Sequence, residues 1–275
     1  LESEGDDQVG LAETIQRWWG DYSLAAGTSG VWKIGAFSVR LERTEKEWRI
    51  YLKRGSVHGE SGADVSVEIP AEVGEQFQGL KRYCFRETTG LVRLMPALAD
   101  RPVVTRPFLP FYVPSRQEAT IFASSPLWIT IHVNDPPQQM DEFPIFRPSD
   151  TWLGASTMDG ELCYASRTNC FLSPEEVPGR PHRAITPVKI WNRALGPLLL
   201  ERVSLPVKHL SLFAGSDGNL WTEHVTLERT EGGVSADLRI TEGPPPYAGE
   251  ASLVSEPRER LEKNIMVRAL GAIFG

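Results

Sequence analysis

Phe37-Ser38-Val39-Arg40-Leu41-Glu42, a polar turn through Thr44-Glu45-Lys46, and then Trp48-Arg49-Ile50-Tyr51-Leu52-Lys53 decide the fold class of this 275-residue chain. In both runs Phe, Val, Leu, Trp or Ile alternates with a polar or amphipathic side chain. Successive side chains of a strand point to opposite faces, so period two on either side of a short turn predicts a half-buried β-hairpin. The same rhythm returns at Val65-Val67-Ile69 and at Leu127-Ile129-Ile131-Val133, where Trp128, Thr130 and His132 take the other face. Further along it marks Val188-Ile190, Leu198-Leu200, Leu210-Leu212, Val225-Leu227 and Leu238-Ile240. Turn signals such as Ser216-Asp217-Gly218 and Glu231-Gly232-Gly233 separate the runs. Many short strands at this spacing predict a mainly β chain built of sandwich-like units, and no alternation with long helices suggests a doubly wound sheet.

Helical spacing is confined to the ends. Val9, Leu11, Ile15 and Trp18 or Trp19 predict a short amphipathic helix over 8–19, behind an acidic start that is too apolar-poor to pack. Pro257 suits a first helical turn, and Leu261, Ile265, Met266, Ala269, Leu270, Ile273 and Phe274 form a stripe at helical period. A C-terminal amphipathic helix is therefore expected. Packing on its own sheet is the commoner arrangement, but apolar residues at the extreme end of a chain fray unless something holds them. Leu270, Ile273 and Phe274 are accordingly candidate contacts with a partner or a membrane surface.

Periodicity divides the chain into an N-terminal segment over 1–18, a first β-sandwich-like domain over 19–136, a connector over 137–187, and a second β-sandwich-like domain with the terminal helix over 188–275. The connector is rich in Pro, Gly, Ser and Thr, yet it carries Phe143, Phe146, Trp152, Leu153, Leu162, Tyr164 and Phe171. So many large apolar side chains predict an ordered segment, with a short strand near 161–166 and with Trp152, Leu162 and Tyr164 buried.

Composition excludes some classes. The net charge is −7, with 36 Asp+Glu against 29 Lys+Arg spread over both halves, so no basic footprint for nucleic acid is present. Three cysteines, Cys84, Cys163 and Cys170, are too few and odd in number for a disulfide scaffold, although Cys163 and Cys170 could form a single bridge. No stretch has the roughly 18–20 apolar residues of a spanning helix, and the expected compartment is the cytoplasm. Neither a Gly-x-x-x-x-Gly-Lys run nor a dinucleotide fingerprint occurs, so no cofactor is implied.

Candidate chemistry gathers in the connector. Ser149, Ser156 or Ser166 with His182 and Asp150 or Asp159 supplies the residue types of a nucleophile, base and orienting acid, but no nucleophile elbow surrounds any of these serines. Glu161, Cys163 and His182 could ligate zinc, without the four tight ligands a structural site uses. Asp150, Glu161, Cys163 and His182 are the connector residues to locate. Eight tryptophans also admit a stacking platform for sugar rings, with Trp32 and Trp48 better placed for the core.

Arg147-Pro148-Ser149-Asp150-Thr151-Trp152-Leu153-Gly154, Gly160-Glu161-Leu162-Cys163-Tyr164-Ala165-Ser166-Arg167-Thr168, Arg180-Pro181-His182-Arg183-Ala184 and Asn219-Leu220-Trp221-Thr222-Glu223 carry a resemblance, together with Glu47-Trp48-Arg49-Ile50 and Ser125-Pro126-Leu127-Trp128. From about Trp19 onward the chain resembles a prokaryotic family catalogued as a domain of unknown function, family four-thirty-two. The family brings no catalytic residues to carry over. The resemblance implies a channel-associated role, since some members are encoded beside small-conductance mechanosensitive channels. The expected function is a non-enzymatic interaction or regulatory module with a protein partner such as a membrane channel. The alternatives are a hydrolase-like enzyme with its site in 143–186, or a carbohydrate-binding module.

Overall fold

The computed structural model describes residues 17–55, 64–71, 77–154, 158, 160–230 and 236–260. Strands dominate these residues, and their helical turns are three short 3-10 segments, Pro174–Glu176, Val207–His209 and Pro246–Ala248. The chain is mainly β.

A first pair of sheets uses the earlier strands. One sheet runs β1 (Gly20–Ser23), β7 (Leu91–Ala97), β11 (Trp128–Val133) and β12 (Gln138–Pro144), with antiparallel neighbours throughout. The other runs β5 (Val65–Glu68), β2 (Ser29–Ile34), β3 (Phe37–Arg43), β4 (Glu47–Arg54) and β6 (Gln78–Cys84). The β3–β4 hairpin has the register that alternation predicts, with Val39 opposite Leu52 and Leu41 opposite Ile50. Val39, Leu41, Trp48 and Ile50 are all fully buried. The apolar faces of the two sheets meet: Tyr22 and Trp32 pack edge to face at 5.2 Å, and Phe37 lies 5.9 Å from Phe143. At one open side Lys81 of β6 pairs with Asp141 of β12 at 2.8 Å, placing a charge where an edge would otherwise invite another strand.

The remaining strands form three further sheets. One is β13 (Ser149–Gly154), β14 (Gly160–Thr168), β8 (Val103–Pro107) and β17 (Val203–Leu205), with β14 and β8 parallel. The largest orders β21 (Ala236–Thr241), β20 (His224–Arg229), β15 (Arg183–Asn192), β19 (Leu220–Thr222), β18 (Leu212–Ala214) and β22 (Ser252–Ser255), and β10 (Glu118–Pro126) also pairs with β15. A two-stranded piece joins β16 (Leu198–Leu200) to β9 (Phe111–Val113).

Pairing is interleaved along the chain. After β7 the chain leaves the first pair of sheets, supplies β8, β9 and β10 to the other three, and then returns for β11 and β12. Strands from the stretch expected as a first domain, 19–136, therefore pair with strands of 137–187 and 188–275, most extensively from Glu118 opposite Trp191 to Pro126 opposite Arg183. Alternation reports which face of a strand is buried, but not which strand lies beside it. One continuous apolar cluster runs from Trp18 to Leu238 and includes Trp32, Trp48, Leu94, Ile131, Val188 and Leu205.

Three expectations need correction. No helix begins at Pro257. Residues 257–260 form a bend held by other contacts: Arg258 donates from Nε to the Leu98 carbonyl at 2.7 Å, and the Glu259 amide donates to the Lys208 carbonyl at 3.0 Å. The rest of that stripe, with Leu270, Ile273 and Phe274, lies outside the described residues, as do residues 8–16 of the N-terminal helix, and 17–19 are not helical. The described residues of the connector are largely strand, and Tyr164 is buried, but Trp152 and Leu162 are 44% and 43% exposed. They lie opposite one another on the β13–β14 hairpin, on the face away from buried Leu153 and Cys163. Trp152 covers the backbone of Gly160 instead, where a Cβ would stand 2.5 Å from its Nε1.

Candidate functional site

The connector residues singled out in sequence do not share a site. Asp150 pairs across the hairpin with Tyr164, and Thr151 with Cys163, so Asp150 and Cys163 face opposite sides of the sheet. The Asp150 carboxylate is held by Arg101 at 3.4 Å and Arg147 at 3.1 Å. Glu161 is exposed and stands 4.0 Å from the Lys208 amine. Cys163 is buried in a small cluster with Val104 and Leu153, and burial pushes its thiol up to about 11. Cys170 is likewise buried and pushed up to about 12, and all three cysteines are free. A thiol kept protonated is a poor nucleophile and a poor metal ligand. Ser149 is exposed, and Ser166 is buried against an arginine described below. Ser156 and Asp159 lie outside the described residues.

His182 leads to a different arrangement. It lies in the turn before β15, its carbonyl accepting from the Leu127 amide at 3.0 Å while the neighbouring Pro181 carbonyl accepts from the Trp18 indole at 2.8 Å. Its Nδ1 is buried without a hydrogen-bond partner among the described residues. Burial, and then the positive charges of Arg183 and Arg180, push the imidazole down to about 4, so the ring is neutral near pH 7. The charges that act on this histidine are those of the two arginines.

That charge belongs to a cleft of about 440 Å³, open mouth included, where the β14 sheet and the β10–β15 pair come together. Arg167, Arg180, Arg183, Phe108 and Phe171 line it, with Ser124 and Asn169 as further polar groups, and none of its lining residues is acidic. Arg183 is pinned from two sheets. It donates from Nε to Ser124 Oγ at 2.9 Å, and from Nη2 to the Ser124 carbonyl at 2.6 Å and to Ser166 Oγ at 3.0 Å. Phe171 is fixed through its carbonyl, which accepts from the Phe122 amide at 2.8 Å, and its ring packs on the cluster of Phe122, Ile185 and Trp221. Phe108, which lines the cleft, is 54% exposed, and the residues that follow Phe108 and Phe171 in the chain, Leu109 and Leu172, are 82% and 69% exposed.

The residues of this surface come from four separate stretches of chain, and alternation marks none of them. The signal present in the sequence was the Arg180-Pro181-His182-Arg183 motif, whose two arginines both reach the cleft.

Neither a curated protein nor a solved structure matches the chain. A family profile does match, over residues 18–274, and it includes every strand and every cleft residue described above. The chain belongs to the family of proteins of unknown function designated DUF432.

Proposed function

We propose that the protein is a non-enzymatic interaction module that docks a protein partner on the surface around the arginine-lined cleft. The observation that carries this reading is a rigidly held basic cleft lined by exposed Phe108 and by Phe171, each followed in the chain by an exposed leucine, Leu109 and Leu172. Apolar side chains clustered in water with arginine at their centre have the composition of a recognition surface, where aromatic residues and Arg are enriched. In this reading the two facing sheets of the first pair and the sheets that carry the cleft are sandwich-like parts of a single scaffold. The continuous core between them supports that role by keeping the surface rigid. No helix among the described residues is long and apolar enough to cross a membrane. A membrane-embedded partner is reached from outside the bilayer, and the small-conductance mechanosensitive channel suggested by the family resemblance is the first to test.

The test is recovery of the purified chain on membrane vesicles with and without such a channel, for the wild type and for Leu109→Asp with Leu172→Asp. Channel-dependent recovery that the double variant loses is the expected outcome. Equal recovery on both vesicle types would remove the channel, and an unaffected variant would remove the surface.

A further inference from the structure

Arg106 and Arg167 are register partners on the parallel strands β8 and β14, and both are exposed. Neighbouring side chains on adjacent strands point to the same face, and like charges placed there repel. Among the described residues neither guanidinium has a carboxylate within ion-pair distance. This happens in a chain whose acidic residues outnumber its basic ones, 36 to 29, so the pair is not a by-product of a basic composition. Arg167 also lines the cleft with Arg180 and Arg183, and Phe108 follows Arg106 by two residues. Three arginines therefore line one cleft, and a fourth, Arg106, stands beside Arg167 on the neighbouring strand.

We propose that this cluster anchors a carboxylate on an extended segment of the protein partner: an Asp or Glu side chain, with a neighbouring apolar side chain lying on Phe108 and Phe171. The inference rests on reading the surface as a docking face, and it names the chemistry of what docks. A guanidinium presents a planar fork of donors that matches a carboxylate. Arg183 is already oriented by Ser124 and Ser166, so little side-chain freedom is lost when the anion arrives. The two phenylalanines in the same cleft select a carboxylate joined to an apolar group over a bare phosphate.

The experiment follows the arginine Nε–H resonances of the full chain during titration with phenylacetate, phenylacetamide and inorganic phosphate. Saturable shifts at Arg167 and Arg183 with phenylacetate, absent with the isosteric neutral amide and weaker with phosphate, are expected. Arg167→Gln, at an exposed position that should not disturb folding, should weaken phenylacetate about tenfold, the loss expected for one charge-assisted hydrogen-bonded pair. Equal binding of amide and carboxylate, tighter binding of phosphate, or an Arg167→Gln protein of unchanged affinity would overturn the proposal. So would a concentration-dependent dimer by sedimentation velocity that Leu109→Asp dissolves, because a second copy would then be the occupant. Should phenylacetate fail to bind while Leu109→Asp with Leu172→Asp still abolishes partner recovery, the docking face stands and the carboxylate anchor alone is wrong.

Discussion

The indole Nε1 of Trp18 donates to the carbonyl oxygen of Pro181 at 2.8 Å, joining two points 163 residues apart. Trp18 is fully buried, so this bond fixes the turn that carries His182 and the cleft arginines to the first pair of sheets.

Trp18→Phe keeps an aromatic ring and removes the donor. Leaving a partly buried carbonyl with one fewer partner should cost about 1 kcal/mol in urea unfolding. The same variant should become sensitive to limited proteolysis within 177–183, whereas the wild type resists cleavage throughout 143–186. Rapid cleavage of the wild type across that span, leaving two stable halves, would show a linker where the structure has sheet.

Gly160 has no room for a side chain, since a Cβ would stand 2.5 Å from Trp152 Nε1 and 2.7 Å from the Leu153 carbonyl. Gly160→Ala should therefore displace the indole and destabilise the protein by about 1–3 kcal/mol, the usual cost of overpacking. Adding Trp152→Ala should recover the part due to the indole and leave the part due to the Leu153 carbonyl. A double variant no more stable than Gly160→Ala alone would place the strain elsewhere.

How much of this was legible in sequence depended on burial. The β3–β4 hairpin could be read because Val39, Leu41, Trp48 and Ile50 turn one face into the core. β6, an edge strand exposed along nearly all its length, offers no alternation and left no trace. The excursion of β8, β9 and β10 was hidden because a period of two does not name a neighbour. The cleft was hidden for a related reason, since Arg106, Arg167, Arg180 and Arg183 become adjacent only through parallel pairing and a turn. Asp150, Glu161, Cys163 and His182 are close in sequence, but the pleat and the hairpin send them to different places.

Acid should weaken the fold through its buried histidines. His182 titrates at about 4 in the folded chain against an ordinary value of 6.5, because burial and two arginine charges oppose the imidazolium. Between those values the unfolded chain binds more protons than the folded one, so stability falls as pH drops through roughly 6.5 to 4. His132 and His224, both lowered chiefly by burial, act in the same direction. Urea midpoints should fall on acidification across that window, and His182→Asn should flatten the slope. An unchanged slope in the variant would assign the effect to other groups.

Arg258 ties the end of the described chain to the first pair of sheets, through the Leu98 carbonyl at 2.7 Å and the Glu142 carboxylate at 3.2 Å. Arg258→Met should cost about 1.5–3 kcal/mol, as for a hydrogen bond to a charged group. Arg260→Met, at a side chain 83% exposed, should stay within about 0.5 kcal/mol of wild type. Equal costs would mean that the anchor contributes nothing specific.

The apolar stripe of Leu270, Ile273 and Phe274 lies beyond that anchor. Leu270→Asp with Phe274→Asp should weaken association and leave the melting temperature nearly unchanged. A large fall in melting temperature with association intact would return the stripe to the protein's own core, where burying a charge is costly.

Site-specific photocrosslinking in cells tests the docking surface most directly. A benzophenone side chain at position 109 or 172 should give one discrete adduct with the same partner, abolished by Phe108→Asp. At position 253, an exposed site on the separate strand β22, it should give none. Equal adducts at all three positions, or adducts indifferent to Phe108→Asp, would contradict the assignment of this surface as the place where the protein meets its partner.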